Sequence, residues 1–426
     1  INRGYRLQRF INACGGRGNS PIKFNGSIFN TEASDGGNWD ADYRQWGGPY
    51  WWQNTRLPYW AMLEAGDFDL MRPLFKMFLD NLATRKAATR DYYDHDGAFY
   101  PETQTLWGTY VDANYGRDRS TLPDGKTTNR FIRYYWQGGL ELSLMLLDYY
   151  AFTGDDAFAR ETLLPLVSEI LTFFDQHWAR DDSGKIRFDP AMALETYNTA
   201  VNPLVEIVGI EKVCREMLAL PETLTNAAQR TQWQRLISEL PPVPTRRANG
   251  QTLLAPADSY SGQQNIENPE LYAIFPYRRY GLGQPELELA RQTFAARRVK
   301  KTGGWQQNAI KAAYLGLTAE AASMVGQNFS TSSREHRFPA MWGPNYDWIP
   351  DQCHGGVAMI ALQRMLLQYD GDAIRLLPAW PKDWDVDFKL HAPRNTIVEC
   401  RVRNGEITSL KVSPESRRKD VVLEGL

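Results

Sequence analysis

The chain has 426 residues, a formal net charge of −2 and 23% charged residues with no basic run, which speaks against nucleic acid and anionic membrane as partners. No apolar run approaches the ~20 residues of a membrane span. The four cysteines (Cys14, Cys214, Cys353, Cys400) and five histidines are scattered without the spacing of a metal site. One long-range disulfide stays open, and no metal and no cofactor is expected. The length suits a large domain followed by a smaller one. Aromatic residues make up 12%, and Trp39, Trp46, Trp51, Trp52 and Trp60 fall within 22 residues. Bunched indoles beside Asn, Gln, Asp and Arg suit a surface that stacks on sugar rings and hydrogen-bonds their hydroxyls. Core packing is the alternative for most of the 14 tryptophans.

In chain order, residues 2–13 carry Tyr5, Leu7, Phe10 and Ile11 on one helical stripe, stopped at Gly15-Gly16. Residues 15–55 form a long Gly-, Asn- and Trp-rich connection, of the length that is usually functional or disordered. Helices are expected at 57–64 and 67–84. Residues 91–129 read as loop, followed by helices at 130–152 and 156–178. Residues 188–203 show neither a helical period nor strand alternation, and they hold Glu195 among apolar and amide neighbours, six residues after Asp189. Helices resume at 203–218 and 223–239. Pro241-Pro-Val-Pro is a rigid break, and 251–269 is irregular. Shorter helical pieces at 270–275 and 284–298 lead to a helical pair at 305–315 and 318–330. A third irregular segment, 331–352, precedes a helix at 353–369. Beyond Pro378 the period changes to two, at 386–390, 396–402, 407–412 and 420–424, with Asn404-Gly405 as a hairpin turn.

This pattern predicts a mainly α protein. A closed (α/α)6 toroid of helical hairpins occupies residues 1–374, and a small antiparallel β module occupies 375–426. A helical solenoid is the competing architecture, but no fixed-period repeat is present. In a ring, the long connections gather around one funnel. Among their polar groups, Glu195 and Asp351 stand out as two carboxylates from distant loops, the minimum needed to split a glycosidic bond. Asp351 also sits where a helix N-cap belongs. No P-loop, Gly-x-Gly-x-x-Gly or Gly-x-Ser-x-Gly fingerprint occurs in context.

Several stretches resemble glycoside hydrolase family 95, the inverting α-L-fucosidases and α-L-galactosidases, and related bacterial glycosidases. Asn54-Thr55-Arg56-Leu57-Pro58-Tyr59-Trp60 resembles the family's Asn-x-Asn-Thr-Glu-Met-Asn-Tyr-Trp, and Ala151-Phe152-Thr153-Gly154-Asp155 its Phe-Thr-Gly-Asp helix end. Asp189 to Glu195 lies where the family has Pro-Ser-x-Ser-Pro-Glu-Asn. Leu271 to Pro276 resembles Leu-Tyr-Gly-Leu-Tyr-Pro, Trp348 to Gly355 resembles Phe-Gln-Ile-Asp-Gly-Asn-Phe-Gly, and Leu376 to Pro381 resembles Leu-Leu-Pro-Ala-Leu-Pro. The resemblance implies a six-hairpin barrel, usually preceded by a β-sandwich domain, and a carbohydrate substrate. It implies Glu195 as general acid, Asp351 as general base and Asn54 as a water-positioning amide. The family's second such asparagine maps to Trp52, and Glu267 and Glu270 fall in its His-rich segment. Trp51, Trp52, Trp305, Trp342 and Trp348 are candidate stacking residues; Arg56, Glu267 and Glu270 are candidate hydroxyl readers. The expected activity is exo-acting release of α-L-fucose or a related deoxy- or galacto-sugar. The alternatives are an α-rhamnosidase-like enzyme using another carboxylate pair, and a binding relative without catalysis. The chain opens on Ile1 and reads as a trimmed piece of a secreted or periplasmic protein.

Overall fold

The computed structural model of the chain describes residues 1–25, 28, 46, 48–109, 129–331 and 351–424. After α1 (Asn2–Gly16), helix α2 (Trp52–Ala65) starts five residues before its expected beginning. Its first two amides, of Trp52 and Gln53, donate to the backbone carbonyl and the carboxylate of Glu102 at 2.8 and 2.7 Å. They are thus satisfied from outside the helix, a source no local pattern reveals. Gly66, at φ 74°, ends α2 with backbone bonds to the preceding turn.

The single helix expected over 67–84 is two, α3 (Phe68–Asp80) and α4 (Leu82–Tyr93). The break falls at Asn81, whose side-chain amide donates to the carbonyl of Leu106 at 3.0 Å. α5 (Gly138–Thr153) stops at Gly154, and α6 (Asp156–Phe158), capped by Asp155, runs through a π-helical turn (Ala159–Leu163) into α7 (Leu164–Gln176). α8 (Leu204–Ala219) is followed by α9 (Ala227–Glu239), which opens on a reciprocal Asn226–Gln229 capping box. A 3-10 turn (Pro269–Ala273), α10 (Leu287–Ala295), α11 (Asn308–Tyr314), α12 (Thr318–Ser330) and α13 (Gln352–Leu366) complete the helices described.

α2, α11 and α13 are buried along their whole length, and most of α5 and α8 with them. A helix buried on every side needs neighbours on every side. α13 packs on α1, α2, α11 and α12; α2 packs on α5, α5 on α7 and α8, and α8 on α9 and the 3-10 turn. At the α2–α13 crossing the backbones touch. A Cβ on Gly356 would lie 2.7 Å from the carbonyl of Leu57 and 2.8 Å from the nitrogen of Pro58, so only glycine fits there.

The strands lie between and after the helices. β1 (Tyr50–Trp51) pairs with β2 (Thr103–Gln104). β3 (Ala191–Ala193) and β4 (Tyr197–Pro203) are followed by the hairpin β5 (Thr245–Ala248)–β6 (Gln251–Leu254). β7 (Ala257–Gln263) then completes an antiparallel sheet of order β3-β4-β7. Residues 188–203 and 251–269, expected to be irregular, therefore hold strands. Alternation does not mark them, because β3 is buried throughout whereas β7 is exposed beyond its first residue.

At the C-terminus, β8 (Leu367–Asp370) and β9 (Ala373–Leu376) form a hairpin directly after α13, where the helix was expected to continue. β10 (Val386–Ala392), β11 (Thr396–Arg403) and β12 (Glu406–Ser413) form the expected antiparallel sheet. Its Asn404-Gly405 turn has both residues at positive φ (51° and 78°). β13 (Val421–Leu423) corrects the expectation: it runs parallel to β9 in a sheet of order β13-β9-β8, so the C-terminal strands are mixed rather than all antiparallel. The expected division at 374/375 falls inside β9. No disulfide joins the four cysteines.

Candidate active site

Glu195 occupies the middle of the tight turn that joins β3 to β4, where Ala193 pairs with Tyr197. Leu194, immediately before it, is fully buried with φ at 53°, a left-handed conformation costly for a side chain of that size. The turn is fixed from several sides. The Gln264 N–H donates to the Thr196 carbonyl at 2.9 Å, Asn202 takes the Phe188 N–H at 2.9 Å, and the Asn202 amide donates to Asp258 at 2.8 Å. Behind β3, the Trp178 indole N–H donates to the Pro190 carbonyl at 3.1 Å. Glu195 is 5% exposed, and its Oε2 accepts from the Asn265 amide at 2.7 Å.

A cavity of about 500 Å³ opens at this carboxylate. Its described lining consists of five amides (Gln53, Asn54, Asn129, Gln264, Asn265), five aromatic residues (Phe24, Trp46, Trp51, Phe131, Trp305) and Glu195. Trp46 and Trp51 meet edge to face at 5.8 Å, and the Trp51 indole donates to the Trp46 carbonyl at 3.1 Å. The arrangement offers apolar faces for stacking, amides for hydroxyls and one group able to carry a proton.

Of the residues expected from sequence, Glu195, Asn54, Trp51 and Trp305 line this cavity. Asp351 is fully buried and is not among the described residues that line the cavity. It caps α13, accepting from the Cys353 N–H at 2.8 Å, and pairs by a β-bridge with Asn25. The adjoining Gln352 N–H donates to the carbonyl of the lining residue Phe24 at 2.6 Å. The Asn54 amide donates to the Cys353 sulfur at 3.4 Å, so α2 meets α13 next to the cap.

Trp52, Arg56, Glu267 and Glu270 lie outside the cavity. Trp52 packs edge to face on Phe78 and covers Gly138. Arg56 is wholly buried, paired with Glu141 and donating to the Tyr272 hydroxyl at 2.6 Å. Glu267 accepts from the Gln53 amide at 2.6 Å and the Tyr272 hydroxyl at 2.9 Å. These bonds run from the cavity wall at Gln53 into the core and tie Arg56 and Glu267 to that wall. Burial holds the Glu270 carboxyl above the usual range, and it pushes the Lys311 ammonium down to about 8 despite Glu267 and Glu270 nearby. Trp342 and Trp348 lie outside the described residues, as does Trp39. Gln53 was not named as a site residue, and Phe24, Asn129, Phe131 and Gln264 were not anticipated. Gln53 adjoins the Trp51-Trp52 pair, which was a usable signal; the other four carry none in their local sequence.

A helical fold with a cavity of indoles, amides and one buried carboxylate defines a carbohydrate-processing site. The description "Glycosyl hydrolase family 95 catalytic domain" fits residues 32–366. The chain belongs to this family of glycoside hydrolases. No curated protein sequence matches the chain. Among solved structures, it is similar to a protein assigned as a kojibiose phosphorylase from human microbiome, with a TM-score of 0.65 and 13% identity over 94% of this chain and 54% of that one. The chain thus spans about half the length of that relative. It is also similar to a wild-type glycosidase, with a TM-score of 0.56 and 13% identity over 85% of this chain and 97% of that one. An E335A variant named as a glycosidase in complex with glucose gives the same values. At such identities these likenesses bear on the fold alone.

Proposed function

We propose that the chain is an inverting, exo-acting glycosidase that releases a terminal α-L-fucose or a related deoxy- or galacto-sugar from an oligo- or polysaccharide. The observation that carries this reading is Glu195, the one carboxylate among the described residues lining a cavity of aromatic rings and amides. The fold we read as an (α/α)6 toroid is supported by the run of packed helices from α13 through α2 and α5 to α8.

In this reading Glu195 gives its proton to the departing glycosidic oxygen as the anomeric C–O bond breaks. Asp351 takes a proton from the water that attacks the opposite face, and the Asn54 amide orients that water. The Glu195 turn is flanked by Met192 and Leu194, both fully buried. Trp51 and Trp305 supply stacking faces.

The test is hydrolysis of an aryl-glycoside panel by the wild type and by the Glu195→Gln and Asp351→Asn variants, with the first-formed anomer read by proton NMR. Loss of turnover in both variants and inversion of configuration are expected. A variant that hydrolyses at the wild-type rate removes that residue from the mechanism, and net retention overturns the two-face water attack. Binding of the sugar without turnover by the wild type identifies a non-catalytic relative.

A further inference from the structure

Gln53 takes no step in the mechanism above, yet its amide meets the cavity in a way that Gln264 and Asn265 do not. Those two use both ends of their amides within the protein. Gln264 donates to the Arg130 carbonyl at 2.9 Å and accepts from the Asn198 amide at 3.3 Å. Asn265 donates to Glu195 at 2.7 Å and accepts from the Ile266 N–H at 2.8 Å. Gln53 also lines the cavity, and its Nε2 donates to Oε2 of Glu267 at 2.6 Å. Its Oε1 accepts from no described group and is not sealed off from solvent. The direction of this amide is set behind the wall. The Tyr272 hydroxyl accepts from Arg56 at 2.6 Å and from the Gln307 amide at 3.2 Å, which leaves its own proton for Glu267 at 2.9 Å. A carboxylate, here 3.8 Å from the Arg56 guanidinium, only accepts, so it takes the N–H end of Gln53 and leaves the oxygen end turned away. The Gln53 backbone is held as well, by its N–H bond to Glu102 at 2.7 Å.

We propose that Gln53 is a specificity-determining residue of this site: Glu267 fixes its amide so that Oε1 faces the cavity and reads one hydroxyl of the bound sugar as a hydrogen-bond donor. The proposal rests on the cavity taking a sugar. A hydroxyl at that place gives its proton to Oε1 and keeps its own oxygen for a neighbouring donor. A ring position that carries no hydroxyl, or a group that only accepts, displaces water from the wall and leaves Oε1 unpaired, and an unpaired polar atom is what a site of this kind discriminates against most strongly. Because the amide is already held at both its backbone and its nitrogen, little further ordering is needed when the sugar arrives. Arg56, Tyr272 and Glu267 then bear on the choice of sugar through Gln53, as positioning residues. Gln53 falls at the position that the Asn-x-Asn motif leaves open, so the preference is not one the motif itself specifies.

The probes are L-fucose, L-galactose and the sugar of any aryl glycoside that the chain turns over, each with its monodeoxyfluoro derivatives. Fluorine fills the place of a hydroxyl but cannot donate. Binding is read by calorimetry, which needs no turnover. In the wild type, fluorination at one ring position is expected to weaken binding about tenfold. Gln53→Met, close in length and without a hydrogen-bonding end, is expected to bind the parent sugar more weakly and to lose the penalty for that one fluorine. In Glu267→Gln the new amide can donate as well as accept, so Gln53 is free to turn its N–H end to the cavity, and the same penalty is expected to shrink. A fluorine penalty unchanged in Gln53→Met overturns the role of Gln53, while a penalty lost there but unchanged in Glu267→Gln overturns the part given to Glu267. If the variants do not fold, a crystal structure of the wild type with the bound sugar decides: a hydroxyl oxygen about 2.6–3.0 Å from Oε1 of Gln53 supports the proposal, and a sugar bound without that contact overturns it. If none of the sugars binds, this proposal and the sugar reading fall together; a sugar that binds without the Gln53 contact leaves the sugar reading standing.

Discussion

The side-chain amide of Asn54 meets the sulfur of Cys353 at 3.4 Å, which fixes the first turn of α2 to the first turn of α13, the turn that Asp351 caps. One turn further along, Gly356 lies against the backbone of Leu57 and Pro58. Two inner helices, from opposite ends of the chain, thus set where the amide and the carboxylate stand relative to each other. Asn54→Ala is expected to lower kcat/KM about ten- to a hundredfold, the ~1.5–3 kcal/mol typical of a hydrogen bond to a charged group, with little change in Tm. Gly356→Ala is expected to act through the crossing instead. A methyl pressed into backbone costs about 1–3 kcal/mol, so urea denaturation should show lower stability alongside lower activity.

Leu194 makes the Glu195 turn out of an unfavourable backbone conformation that full burial of its side chain sustains. Leu194→Ala is expected to destabilise by about 2–5 kcal/mol. Leu194→Gly loses one more carbon but relieves the left-handed strain, which is worth about 1–2 kcal/mol. Equilibrium urea denaturation should therefore place the glycine variant level with or above the alanine variant. A glycine variant clearly less stable than alanine would show that the positive φ carries no strain.

Helices were legible in sequence where their period is local: α8 and α12 lie within a residue of their expected bounds, and α5 stops at Gly154 as expected, although α5 starts eight residues and α9 four residues later than expected. So was the Asn404-Gly405 hairpin, where turn chemistry alone fixes the backbone. Three kinds of feature were not. α2 begins at Trp52 because Glu102, some fifty positions away, satisfies its first amides. β13 joins β9 in parallel through a pairing that alternation within 420–424 cannot specify. For Arg56, Glu267 and Glu270, charge in an apolar stretch signals either function or a buried network, and partners such as Glu141 and Tyr272 come from the fold rather than from local sequence. Glu195 stood out in sequence because a carboxylate with apolar flanks is unusual in itself, and it lines the cavity. The amides Asn129 and Gln264 come to it through the fold.

The described cavity lining contains no lysine or arginine. An attacking phosphate brings at least one full negative charge, which a water-poor site must meet with cations or with several converging amides aimed at it. The amides here are spread around aromatic faces. Although one structural neighbour is assigned as a phosphorylase, turnover by this chain is expected to be independent of inorganic phosphate. The product should be free sugar. Phosphorus NMR of reactions with millimolar phosphate checks this: a sugar phosphate signal, or a rate that rises with phosphate, would contradict hydrolysis.

His177 gives the fold an acid limit. Its Nδ1 is 2.9 Å from Nε2 of His95, and the rings of Trp136, Phe173, Trp178 and Tyr93 surround it at 4.5–4.7 Å. Burial, with the neighbouring His95, lowers its proton affinity from 6.5 to about 3. The unfolded chain therefore binds a proton at this position across a range where the folded chain does not. The associated stability is fully present above pH ~6.5 and is lost progressively as pH falls toward ~3. Trp178 also holds the Pro190 carbonyl, so loosening of this cluster reaches the strand that leads to Glu195. His177→Gln, which keeps a polar partner for His95 and cannot charge, is expected to flatten the fall of Tm between pH 6.5 and 4 while lowering Tm modestly at pH 8. Thermal melts of both proteins across that range decide the matter. Parallel curves for wild type and variant would place the acid sensitivity elsewhere.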